Sequence, residues 1–164
     1  MTDVVVRAYI ALGSNLENPK AQIESALVTL NTIPHSSLIK TSRFYRSTPL
    51  SGDDQPDYIN AVAAFDTTLS AHDLLTELQK IEQSHGRTRS LKRWGPRTLD
   101  LDLVLYGDHI ISTPRLLVPH PGISKRNFVL YPLADLDPNL IFPNGHKLQD
   151  LLEKVNQDGL VVIE

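Results

Sequence analysis

Two aspartates one residue apart, Asp100 and Asp102, directly follow the most basic stretch of the chain. Residues 87–97 read RTRSLKRWGPR and hold five of the 16 lysines and arginines, with no acid among them. The next residues, TLDLDLVLYGD, reverse the sign. Arginine presents a planar fork that binds phosphate oxygens in pairs and stabilises charge that builds up during phosphoryl transfer. In an extended strand the i, i+2 spacing puts both carboxylates on one side, with Cα atoms about 6.6 Å apart. Aspartate is a poor strand residue and two like charges side by side repel, so a cation between them would relieve the pair. Mg²⁺ is commonly held by one or two carboxylates together with substrate phosphates. The pattern therefore points to a polyanion handled with its metal counter-ions. A solvated strand face, or charges that discourage a neighbouring strand, would give the same two aspartates. The sequence contains no G-x-x-x-x-G-K-S/T, no G-x-G-x-x-G and no H-E-x-x-H. A nucleotide would then be held by arginines and metal, without a phosphate-binding glycine loop.

The elements around this region can be read from periodicity. Residues 4–12, VVVRAYIAL, read as a buried strand that ends at Gly13-Ser14-Asn15, a turn-forming trio. Helical spacing of Ile23, Ala26, Leu27 and Leu30 predicts an amphipathic helix over 19–32. Strands are expected at 37–45 and 58–67, separated by the loop STPLSGDDQPD. A second helix is expected over 71–84, with Ser70 as N-cap, Asp73 in the first turn and Gly86 as terminator. In 99–106, alternation predicts Leu99, Leu101, Leu103 and Leu105 on one face, with Asp100, Asp102, Val104 and Tyr106 on the other. Gly107-Asp108 should turn this strand into 109–112, and helices are expected near 123–134 and 147–155. The β-α-β-β-α-β order predicts a single α+β domain over 1–164, with a ferredoxin-like core and a mostly antiparallel sheet flanked by helices.

Composition narrows the classes. The chain has 164 residues, 41% hydrophobic and 21% charged, and carries a formal charge of −3. It has no cysteine, which excludes disulfides, thiol nucleophiles and cysteine-ligated metals. No apolar run approaches a membrane span and the N-terminus lacks the order of a signal peptide, so a cytoplasmic protein is expected. The net charge gives no global pull toward nucleic acid or anionic membrane.

The run GRTRSLKRWGPRTLDLDLVLYGD (86–108) closely resembles the signature of the 6-hydroxymethyl-7,8-dihydropterin pyrophosphokinase family of folate biosynthesis. GSN (13–15), DQPDYINAV (54–62), LQKIEQSHGR (78–87) and VPHPGISKRNFVLYPL (118–133) extend the resemblance nearly end to end. It implies transfer of the β,γ-pyrophosphoryl group of ATP, the co-substrate, to the hydroxymethyl oxygen of the dihydropterin, with release of AMP. Asp100 and Asp102 are then expected to hold two Mg²⁺ ions, with Asp100 also facing the pterin. Arg87 and Arg97 are expected to stabilise the transferring group, Arg89 to assist, and Trp94 to belong to a lid that closes over both substrates. Gln79, Glu82, His120 and Arg126 match nucleotide-binding positions. Asn60 matches the residue that reads the pterin, Tyr58 and Phe128 its aromatic neighbours, and Ser47, Thr48, Pro49 and Leu50 the loop whose backbone completes the contacts. Relatives tend to carry T-x-P-x-G in that loop, whereas here Ser51 precedes Gly52 and the glycine falls one position later.

Two other classes remain to be weighed. A non-catalytic ATP- and pterin-binding paralogue would keep the fold, but would have no need to keep both aspartates with Arg87 and Arg97. A single-strand nucleic-acid module could use a basic aromatic loop, yet an RNP1-like run is absent and, without metal, the aspartates would repel phosphates. A monomer acting on small molecules, without nucleic acid or membrane partners, is the expectation.

Overall fold

The computed structural model describes residues 4–15, 18–48, 57–85, 99–157 and 159–163. In chain order the elements are β1 (Val6–Ser14), α1 (Pro19–Leu30), β2 (Ser36–Thr41), β3 (Tyr45–Ser47), β4 (Tyr58–Thr67), α2 (Ala71–Ser84) and β5 (Asp100–Tyr106). They are followed by β6 (Ile111–Ser112), β7 (Leu117–Val118), a 3₁₀ turn (Ile123–Lys125), α3 (Asn127–Leu136), α4 (Leu148–Lys154) and β8 (Leu160–Val162). The main sheet runs β5-β1-β4-β3-β8, with β2 also on β4, and every pairing in it is antiparallel. With β2 and β3 counted as one interrupted strand, this is the ferredoxin-like order extended by β8.

Local chemistry explains the helix starts. Pro19 opens α1 at a position where its missing N–H costs nothing. The Ser70 hydroxyl accepts the Asp73 N–H at 3.1 Å and caps α2 as expected. Gly86, the expected terminator, lies outside the described residues.

Helices cover both sheet faces. Ile23, Ala26, Leu30, Leu74 and Leu78 pack on Ile10, Leu12, Ala61, Ala63 and Phe65. Val129, Leu130, Leu133 and Leu148 pack on Tyr9, Val62, Ala64 and Val104 from the other side. A second contact ties α3 to β3: the Tyr45 hydroxyl donates to Asp135 Oδ2 at 2.8 Å, and Arg43 Nη2 donates to Asp135 Oδ1 at 2.9 Å. Burial pushes the Tyr45 hydroxyl up to about 12, with the Asp135 carboxylate adding to the shift. Leu130 is wholly buried. Leu130→Ala is expected to cost about 2–5 kcal/mol, read as a lower urea midpoint at unchanged slope.

Three expectations need correction. The alternation in β5 holds only to Leu103, because the β1–β5 register shifts between Tyr9 and Ile10. Val104 is the extra residue of a bulge, so Leu105 joins the α3 side. Tyr106 instead turns to the α2 side, where its hydroxyl donates to the Leu69 carbonyl. After Gly107 the chain does not fold back on β5. Residues 111–112 pair with β7 in a separate two-stranded sheet. Gly107 itself is required, at φ +57 with its N–H donating to the Arg7 carbonyl at 2.7 Å. A Cβ there would come within 3.0 Å of Val6 Cγ1. The helix expected over 123–134 is broken at Arg126, whose backbone is extended. Among the described residues no helix is long and apolar enough to cross a membrane.

Candidate active site

Register brings the chemistry-bearing residues to one end of one sheet face. Gly13 of β1 lies opposite Asn60 on one side and Asp100 on the other, and Tyr45 lies beyond Asn60. Ala11 is likewise opposite Asp102. Residues directly opposite in antiparallel strands share a face. Leu101 and Ala61 pack toward α1 and α2, so Asp100, Asp102 and Asn60 face the α3 side. Two strand spacings separate Asn60 from Asp100, about 9–10 Å, which is enough room for a flat heterocycle to lie over Gly13.

On the carboxylate side, Asp100 is half-buried and Asp102 exposed. Asp102 lines one crevice with Ala11, His120, Ile123 and Arg126. The His120 N–H donates to the Val104 carbonyl at 3.1 Å, which anchors the 118–121 segment to β5. The His120 Nδ1 accepts the Gly122 N–H at 3.2 Å, so the neutral ring carries its proton on Nε2. Burial holds His120 below its usual range; Asp102 pulls it back up, and Arg126 adds to the depression. The imidazole is therefore a neutral donor at pH 7, beside a carboxylate and a guanidinium. No group of three or more metal-ligating side chains occurs among the described residues. Two hard carboxylates on one face fit a divalent cation that completes its shell with water and phosphate oxygens.

On the other side, Asn60 Nδ2 donates to Ser47 Oγ at 2.7 Å, and both residues are buried. Tyr58 is opposite Ser47 in register and half-buried. Ser47, Thr48 and Phe128 border a cavity of about 300 Å³. The Arg126 guanidinium carbon is 5.7 Å from the centre of the Phe128 ring, so the basic and aromatic sides meet at the start of α3.

The two α2 residues part company. Gln79 is exposed, and its Oε1 accepts from Arg115 Nη2 at 3.2 Å. Glu82 instead turns inward. It is 5% exposed and its Oε2 accepts the Leu101 N–H at 2.8 Å. The reason is that β5 is an edge strand in the main sheet, so its outward amides need an acceptor. Glu82 thus fixes the strand that carries both aspartates. Glu82→Leu should cost about 1–3 kcal/mol by stranding that amide, and Glu82→Gln should recover most of the loss, both read by thermal unfolding. Arg115 went unnoticed in the sequence because it sits alone among prolines. Only the fold brings it to Gln79 and to Thr76 Oγ1, at 3.1 Å. Pro49, Leu50, Arg87, Arg89, Trp94 and Arg97 lie outside the described residues.

The arrangement defines a class first: an α+β protein whose sheet end sets paired carboxylates and basic groups beside an amide-lined, aromatic-edged recess. A family model for 7,8-dihydro-6-hydroxymethylpterin-pyrophosphokinase matches residues 9–138. The chain is 49% identical over 157 residues to the 2-amino-4-hydroxy-6-hydroxymethyldihydropteridine pyrophosphokinase of Pseudomonas aeruginosa, covering 96% of each. It is 47% identical over 150 residues to the Haemophilus influenzae protein of the same name, covering 92% of this chain and 93% of that one. A crystal structure of wild-type Plasmodium falciparum HPPK-DHPS with pteroate superposes with a TM-score of 0.71 at 14% identity, over 92% of this chain and 42% of that longer one. The chain belongs to the 7,8-dihydro-6-hydroxymethylpterin-pyrophosphokinase family.

Proposed function

We propose that this chain is a single pyrophosphokinase domain that transfers the β,γ-pyrophosphoryl group of ATP to 6-hydroxymethyl-7,8-dihydropterin in folate biosynthesis. The pterin hydroxymethyl oxygen attacks the β-phosphorus and the bond from that phosphorus to the α,β-bridging oxygen breaks. The bridging oxygen leaves with AMP and the hydroxyl proton passes to solvent. The observation that carries the reading is the register that aligns Asn60, Gly13 and Asp100 across three strands. On this reading Asn60 reads the heterocycle and the two aspartates stand on the phosphate side, one ligand width away. Asn60, held by Ser47, reads the ring edge, while Tyr58 and Phe128 bound its faces.

Asp100 and Asp102 would hold two Mg²⁺ ions. What bound Mg²⁺ supplies is neutralisation of the triphosphate and acidification of the attacking hydroxyl, so no dedicated general base is required. Gln79 with Arg115 flanks the nucleotide, and His120 and Arg126 donate to its phosphates. Arg87 and Arg97 stabilise the charge on the transferring group, with Arg89 assisting. Positioning and electrostatics then supply most of the rate, since a pyrophosphoryl group in flight needs little covalent help. Trp94 closes over the substrates.

The test is AMP release from ATP with and without 6-hydroxymethyl-7,8-dihydropterin, in Mg²⁺ and in EDTA. AMP formation that requires both pterin and metal is expected. Absence of pterin-dependent AMP would leave the chain a binding paralogue, and turnover undiminished in EDTA would remove the metal from the mechanism.

A further inference from the structure

We propose that a crevice on the far side of the 119–125 segment binds a small aromatic anion. It lies between that segment, the turn at 142–146 and α4, and encloses about 670 Å³, within the range of small-molecule sites. Ile123, Phe142 and Leu151 line it, and each is less than a tenth exposed, so it has an apolar wall set into the core. Lys125, Lys154 and His146 line it too, and all three are exposed. Among the described residues neither lysine side chain has an ion-pair or hydrogen-bond partner, and no acid lines the crevice. The chain as a whole is negative, at −3, so this local excess of cations over an apolar recess runs against its average.

An apolar wall ringed by uncompensated cations selects a flat hydrophobic body with an anionic head. A carboxylate and a phosphate satisfy the same requirement. The crevice adjoins the candidate active site without repeating it. His120 lines both the crevice and the recess of Asp102, and Lys125 and Lys154 also border the cavity at Ser47, Thr48 and Phe128, whereas Phe142, His146 and Leu151 border only the crevice. A bound anion would therefore press on the segment that presents His120, from the side opposite Asp102.

The test is an amide-shift titration of the ¹⁵N-labelled full chain, with ATP and Mg²⁺ present, using 2-naphthoate, 1-naphthyl phosphate and the neutral 2-naphthalenemethanol. Saturable shifts centred on Phe142, His146 and Leu151 are expected with the anions, and the tighter of the two identifies the preferred head group. The neutral compound should bind at least about tenfold more weakly, as should either anion to Lys154→Gln or Lys125→Gln. These surface changes should leave the remaining amide pattern intact. Shifts confined to the Asp102 recess or to the cavity at Ser47, Thr48 and Phe128, equal binding of the neutral compound, or unchanged affinity in both lysine variants would overturn the proposal. So would shifts that follow protein concentration alone, which would make the crevice a self-association face. The readout is positional, so it does not depend on whether pyrophosphoryl transfer occurs.

Discussion

Asp102→Ala is expected to lower pterin-dependent AMP release by on the order of 10³-fold or more while leaving the fold as stable as before. The two halves of this expectation have separate causes. Activity falls because Asp102 is the exposed member of the carboxylate pair, on the face that also carries Asn60, and one remaining carboxylate would hold the metal-bound triphosphate far less firmly. Stability is spared because aspartate is a poor strand residue beside a second like charge, so alanine relieves repulsion and loses no buried contact. Circular dichroism melting should show an unchanged or slightly raised midpoint. The same substitution removes a neighbouring carboxylate charge that holds the His120 pKa up, so the imidazole should titrate at still lower pH by NMR. A variant with near-normal turnover would show that Asp102 is not a metal ligand. A variant that unfolds would show instead that its role is structural.

The parts of this site that were legible in the sequence are those set by local rules. The β4 and α2 boundaries follow from a bounded apolar run, helical spacing and the Ser70 cap, and Asp100 and Asp102 share a face because side chains in a strand repeat every two residues. What escaped depends on pairing partners. Nothing in TLDLDLVLY announces that Val104 bulges, since the shift is imposed by the match to Tyr9 and Ile10 across the strand gap. The burial of Glu82 could not be read either, because its partner is a backbone N–H of Leu101, nineteen residues away on a sheet edge. Arg115 is a lone basic residue until α2 packs beside it. The broken third helix has a similar origin: Arg126 leaves helical geometry, and its guanidinium comes to rest near the Phe128 ring.

Arg97→Ala and Trp94→Ala should separate chemistry from closure. In the sequence Arg97 stands two residues before Leu99 and three before Asp100. A guanidinium aimed at charge that develops only as the α,β bond breaks contributes to the transition state more than to the bound substrate. Its loss should lower kcat by about 10²–10⁴-fold, with a smaller change in the KM for ATP. Trp94 bears no charge, so on the proposed reading it acts through exclusion of water and hold on the pterin. Its loss should raise the KM for the pterin and lower kcat by no more than about tenfold. Single-turnover quench measurements distinguish the two, since Arg97→Ala slows formation of AMP on the enzyme and Trp94→Ala leaves that step nearly intact. The reverse ranking would make the tryptophan loop the step on which catalysis depends and reduce Arg97 to a binding contact. The guanidinium of Arg87, ten residues earlier, assisted by Arg89, would then carry the stabilisation of the pyrophosphoryl group in flight.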